Sequence, residues 1–206
     1  PYSVGRWSQN GYHVLLPDLE FRPGEPGASV VRSLRAWLKR LRQVPEIDLS
    51  RVAVVGHSWG GYGALFAATQ MPELRCAVAG APIVDLASLY YQAYRGGLMP
   101  NAPILESEQG RMGTSPERDP ARFRRNSPLT YIPQLRVPLL IGFGEQDELV
   151  SPSQAEMLTH ALWLHRKDSQ VLRFPESGHQ WRGADQREFS QQMDRFLAQR
   201  LKGEAP

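Results

Sequence analysis

The residues best suited to covalent chemistry are Gly56-His57-Ser58-Trp59-Gly60-Gly61, a G-x-S-x-G in which one serine stands among glycines. The apolar run Arg51-Val52-Ala53-Val54-Val55 reads as a buried strand leading into it, and 59–70 reads as a helix leading out. A serine at such a junction sits on a tight, strained turn with its hydroxyl raised above the sheet. Glycines at 56, 60 and 61 would remove Cβ atoms that clash where strand and helix approach. The helix N-terminus behind Ser58 offers unpaired amides and a partial positive charge, so Trp59 N–H is the expected oxyanion donor. The plainer alternative is a Gly-rich turn with an incidental serine, and the two flanking elements favour the nucleophile.

A serine hydroxyl is a weak nucleophile at neutral pH and needs a base. The chain has five histidines. His13 lies within an early apolar run, His57 reads as a packing residue beside the turn, and His160 and His165 fall on a polar helix. His179 stands in Glu176-Ser177-Gly178-His179-Gln180, a loop between the last strand and the closing helix, where such a sheet presents its base. The acid that orients it belongs after the penultimate strand, in Gly144-Glu145-Gln146-Asp147-Glu148-Leu149-Val150. Asp147 and Glu148 compete there, with Glu145 behind them. Asp85, following an earlier strand, is a rival acid whose other role would be to cap a helix. The order Ser, Asp, His is that of α/β-hydrolases.

These residues need a frame, and the chain supplies one. Short apolar runs at 12–16, 51–56, 75–80, 137–143 and 171–174 alternate with helical patterns at 30–41, 59–70, 86–94, 153–164 and 186–201. Alternation of this kind predicts a mostly parallel sheet with helices on both faces. The interval 96–133, rich in Pro, Gly and charge, breaks the rhythm and reads as an excursion over the sheet that carries substrate contacts.

Bulk properties exclude several other classes. A chain of 206 residues, 41% hydrophobic and 22% charged, suits one globular domain over its full length. The net charge of +3 is spread among acidic residues, which argues against a nucleic-acid partner. No apolar stretch reaches the ~20 residues of a membrane span. The single Cys76 forms no internal disulfide and reads as a small buried strand residue. No Cys/His cluster or phosphate-binding glycine loop is present, so neither a metal nor an organic cofactor is implied.

At these motifs the chain resembles the prolyl oligopeptidase (S9) family of serine peptidases. Gly56-His57-Ser58-Trp59-Gly60-Gly61-Tyr62 is similar to the family's nucleophile signature, and Glu176-Ser177-Gly178-His179 to its histidine loop. In the acid loop the family's aspartate precedes a Val by three residues, which favours Asp147 over Glu148. Ser127-Pro128-Leu129 and Ala81-Pro82 also resemble the family. The resemblance implies an α/β-hydrolase fold, truncated at its N-terminus, with Pro1 at the tail of a Gly-Gly-Pro-like loop. The family's first strand, and the upstream tyrosine that is a second oxyanion donor in many members, would then precede this chain. Tyr2 comes too late to replace that tyrosine. A substrate-screening β-propeller is absent from these residues, so the chain is expected to be the C-terminal part of a longer one. Gly142-Phe143-Gly144 stands where relatives often carry His-Gly, with no catalytic consequence expected. By the same resemblance, Ile83, Leu86, Tyr90, Tyr91 and Val150 line the pocket for the residue before the scissile bond. Ordinary packing is their alternative role.

The expected activity is acyl transfer to water on a peptide or small acyl substrate, with Ser58, His179 and Asp147 as triad. A carboxylesterase shares fold and triad, and substrate choice lies in the pocket. A catalytically silent hydrolase-like binding module would lack a triad member.

Overall fold

The computed structural model describes residues 3–94 and 99–204. The expectations placed on Pro1 and Tyr2 lie outside the described residues. Strands β1 (Ala53–His57), β2 (Cys76–Gly80), β5 (Leu139–Gly144) and β6 (Ser169–Phe174) form a parallel sheet in the order β1-β2-β5-β6. Between β2 and β5 the ribbon of β3 (Ala93–Tyr94) and β4 (Met99–Pro100) is antiparallel.

Strand periodicity explains why helices cover both faces. In β2, Ala77 and Ala79 point into the larger core, while Cys76 and Val78 point into the smaller one. In β5, Leu139 and Ile141 face the first and Leu140 the second. A central parallel strand buried on both sides is therefore apolar throughout. The larger core receives helices α2 (Pro26–Leu41), α3 (Trp59–Gln70) and α7 (Pro152–Leu164). The smaller receives Phe189, Met193 and Phe196 of α8 (Gly183–Leu197), with Trp7 of α1 (Val4–Gln9) against it.

Helix α3 matches its expected bounds. Residues 61–69 are all buried, as expected for a helix sandwiched between the sheet and an outer layer. Its Gly63, Ala64, Ala67 and Ala68 let it lie close to both neighbours. Helix α2 opens at Pro26, where the missing amide proton costs nothing.

Two expectations are corrected. The run 12–16 has no regular secondary structure and joins no sheet among the described residues. Leu15 and Leu16 are both exposed, so this apolar run is not one buried in a sheet. The helix expected over 86–94 is shorter, α4 (Leu86–Tyr90). Gln92 O instead accepts from Asn101 N and Asn101 Nδ2, which turns the chain into the ribbon.

The interval 96–133 contains α5 (Ala102–Glu106), α6 (Pro120–Asn126) and the start of a 3₁₀ helix, Pro128–Gln134. It buries Leu105, Met112, Phe123 and Ile132 in the larger core. Asn126 fastens it: its Oδ1 accepts from Gly27 N, its Nδ2 donates to Gly24 O and Arg122 O, and its own carbonyl accepts from Tyr62 Oη.

Candidate active site

Parallel strands in register bring their C-terminal ends together, and loops leaving that edge meet in one place. His57 pairs with Gly80, Gly80 with Gly142, and Gly144 with Phe174. Ser58 follows β1, Asp147 follows β5 and His179 follows β6.

Ser58 has φ 58° and ψ −121°, a strained backbone for a residue with a side chain. Two hydrogen bonds and two close backbone approaches hold it there. Ser58 N donates to Gly80 O at 2.8 Å, and Tyr62 N donates to Ser58 O at 2.9 Å. A Cβ on Gly56 would collide with the carbonyl of Gly60, and one on Gly61 with the carbonyl of Gly80. Gly60 itself has open space around its Cβ position, so the expected steric need holds at 56 and 61 and fails at 60.

The three side chains form one line. Ser58 Oγ lies 2.8 Å from His179 Nε2, and His179 Nδ1 lies 2.8 Å from Asp147 Oδ2. Asp147 is 7% exposed, and its Oδ1 accepts from Leu149 N and Val150 N, both at 2.8 Å. Those two backbone bonds settle which oxygen faces His179. The geometry also separates the rival acids. Glu145 is paired with Arg173 at 2.8 Å, Glu148 is exposed, and Asp85 caps α4 by accepting from Ser88 N. The other histidines stay apart from Ser58: His13, His160 and His165 are exposed.

The acid and base loops are laced to each other. Gln146 N donates to Ser177 O, Glu145 N donates to Phe174 O, and Ser177 Oγ donates to Asp185 Oδ2 of α8. Trp59 opens α3, and the first amides of a helix have no partner within it. With Ser58 N committed to Gly80, the Trp59 N–H is the free end of that helix nearest Ser58 Oγ in sequence. The indole of Trp59 stacks on Tyr62 with centroids 4.6 Å apart.

The residues expected to line a pocket occupy different depths. Ile83, Leu86 and Val150 are buried members of the larger core, with Leu86 showing no exposed surface. Tyr90 is half-buried, meets Phe123 edge-on and donates from its hydroxyl to Glu106 at 2.5 Å. That bond pushes the Tyr90 hydroxyl up to about 12, so it stays protonated. Tyr91 is 64% exposed and donates to Glu117.

Two contributors went unread in the sequence. Gln154 of α7 is fully buried; its Oε1 accepts from Val84 N and Asp85 N, and its Nε2 donates to Asp85 O and Ser88 Oγ. The helical period carried the signal, since Gln154 shares a stripe with Leu158 and Leu162. His57 was read only as packing, yet its Nε2 lies 2.9 Å from His179 O.

A parallel sheet covered on both faces, with a strained serine after a strand and an Asp and a His on later loops, defines an α/β-hydrolase. The sequence model of the Prolyl oligopeptidase family matches residues 23–204, and the chain belongs to that family. It is 30% identical over 163 residues to dipeptidyl aminopeptidase BIII of Pseudoxanthomonas mexicana, covering 75% of this chain and 22% of the relative. It is 29% identical over 163 residues to the human acylamino-acid-releasing enzyme, covering 76% of this chain and 21% of the relative. Among solved structures, a puromycin-hydrolyzing peptidase of Mycobacterium tuberculosis superposes with a TM-score of 0.74 at 26% identity, over 86% of this chain and 26% of that one. The chain thus spans about a fifth of the length of these curated relatives.

Proposed function

We propose that this chain is the catalytic domain of a serine peptidase that cleaves peptide bonds through an acyl-enzyme, in the manner of an oligopeptidase or exopeptidase. Ser58 Oγ attacks the scissile carbonyl carbon as His179 Nε2 takes its proton. The C–N bond then breaks, and His179 returns that proton to the departing amine. Water, deprotonated by the same nitrogen, attacks the ester carbon; the C–O bond to Ser58 then breaks, His179 returns the proton to Oγ, and the acid product leaves. Asp147 holds the Nδ1–H tautomer and stabilises the imidazolium. Trp59 N–H donates to the oxyanion. Ile83, Tyr90 and Val150 form the wall beside the acyl side chain, Leu86 supports it from behind, and Tyr91 reaches the rim.

The observation that carries this reading is the hydrogen-bond line from Ser58 Oγ through His179 to Asp147, both links at 2.8 Å. The names of the relatives favour amide over ester substrates. The test is hydrolysis of a matched pair of substrates, a peptide anilide and the corresponding ester, by the full-length protein and its Ser58→Ala variant. Turnover of both, lost in the variant, is expected. Turnover of the ester alone would replace the peptidase with a carboxylesterase, and turnover of neither would leave a silent binding module.

A further inference from the structure

β1 ends one residue before the nucleophile, and the side chain at that position, His57, turns toward the base. Its Nε2 lies 2.9 Å from the backbone oxygen of His179. A carbonyl only accepts, so Nε2 carries the proton and donates. Consecutive residues therefore hold His179 at two points: Ser58 meets its imidazole at Nε2 and His57 meets its main chain. The two imidazoles also approach, with ring centroids 5.1 Å apart and planes tilted by 59°. His57 also makes a T-shaped contact with the buried Trp181, centroids 5.2 Å apart.

We propose that His57 is a positioning residue for the base: its hydrogen bond to the His179 carbonyl fixes the loop that carries the imidazole, so that one ring spans Ser58 and Asp147 without searching for them. This inference rests on the triad reading above. The need for such a grip follows from the setting of His179. The residue lies outside regular structure, in the loop between β6 and α8, so no ladder or helix fixes its peptide plane. The nearest anchors on the N-terminal side are at Ser177, whose amide, carbonyl and hydroxyl are all engaged. An ångström of drift in a proton-transferring group costs about 10²-fold in rate.

The charge state suits the role. Burial, and then the proximity of His179, lower the pKa of His57, which keeps the ring neutral. The titratable groups acting on it among the described residues are His179, from the loop before α8, and Asp147, from the loop after β5. A neutral donor can grip a base that must itself become an imidazolium, whereas a second cation 5.1 Å away would oppose that step. The strand pattern places the residue too: Ala53 and Val55 pack on the Trp181 side of the sheet, and period 2 puts His57 on that side.

The test compares the full-length wild-type protein with His57→Phe, which keeps a ring and loses the donor, and His57→Gln, whose amide nitrogen reaches the place of Nε2. The rate at which a fluorophosphonate modifies Ser58 is followed across pH, alongside each thermal midpoint. His57→Phe is expected to react about 10- to 100-fold more slowly, with its acid limb moved to lower pH because a looser His179 loses part of its contact with Asp147. His57→Gln is expected to keep most of the wild-type rate and the wild-type limb. A His57→Phe protein that reacts at the wild-type rate overturns the proposal. So do two variants slowed equally, with lowered midpoints and an unmoved pH profile. A wild-type protein unmodified at Ser58 overturns the triad reading and this inference together, which separates the two failures.

Discussion

Two buried polar networks lie at the C-terminal edge of this sheet, and they differ in what they leave over. The first joins Ser58, His179 and Asp147. The second joins Gln154 to Val84, Asp85 and Ser88, with Ser127 Oγ beside it accepting from Leu86 N and donating to Phe123 O. Gln154 and Ser127 have no exposed surface, and every donor and acceptor of the Gln154 amide is used. Such a network has no proton to move and no vacancy for a substrate atom, so its consequence is rigidity. The serine network instead contains a titratable ring, 12% exposed in its side chain, between a hydroxyl and a carboxylate. Saturation makes one a brace for the segment proposed as the pocket wall. The movable proton makes the other a candidate for chemistry.

The largest expected difference between them is in rate without loss of fold. Ser58→Ala or His179→Ala should lower kcat by about 10⁴-fold or more, while thermal midpoints stay close to wild type. Asp147→Asn should fall nearly as far, by about 10⁴-fold, because the amide favours the wrong imidazole tautomer. Steady-state kinetics together with calorimetry checks all three, and a large drop in midpoint for His179→Ala would blur the contrast.

The brace should respond the other way. Gln154→Leu strands Val84 N and Asp85 N without partners, and a loss of about 3 kcal/mol is expected in urea unfolding. The remaining folded enzyme should show altered preference among acyl side chains, with the pH dependence of turnover unchanged. A Gln154→Leu protein of normal stability would remove the distinction.

At the junction of the two regions, Gly56→Ala puts a methyl group against the Gly60 carbonyl, whereas Gly60→Ala meets open space. The first should cost about 1–3 kcal/mol and most of the activity; the second should cost little of either. Expression, unfolding and activity of this pair measure how tightly the turn is specified.

The smallest effects concern titration. Burial pushes the Cys76 thiol up to about 12, so iodoacetamide should modify it only on unfolding. Since the unfolded thiol ionises near its ordinary value, about 8.5, and the folded one does not, the unfolded state holds fewer protons between these points. Stability should therefore fall as pH rises through that window, and Cys76→Ala should flatten the fall. His57 gives the opposite sign. Its folded pKa is lowered, so the unfolded state binds the extra proton, and stability should decline as pH drops below about 6.5.

These contrasts also explain what was legible in the sequence. Helix α3 was readable to its ends because strand, glycines and Pro72 are all local signals. The order and spacing of Ser58, Asp147 and His179 were readable because each follows a strand whose apolar run is distinctive. The brace was not, because Gln154 finds its partners about 70 residues away in sequence, and nothing near either end announces the pairing. The run 12–16 was misjudged for a related reason. A short apolar run reports residue type, and a strand also requires a neighbour for its backbone. For His57 the residue type suggested packing, and only the fold brings the His179 carbonyl to it.

Whether His179 activates Ser58 is decided by treating the full-length protein with a fluorophosphonate, digesting it and locating the adduct by mass spectrometry. A single modified peptide carrying the adduct on Ser58 is expected, lost in Ser58→Ala and in His179→Ala. An unmodified Ser58 in the native wild-type protein, or equal modification in His179→Ala, would show that His179 does not activate it.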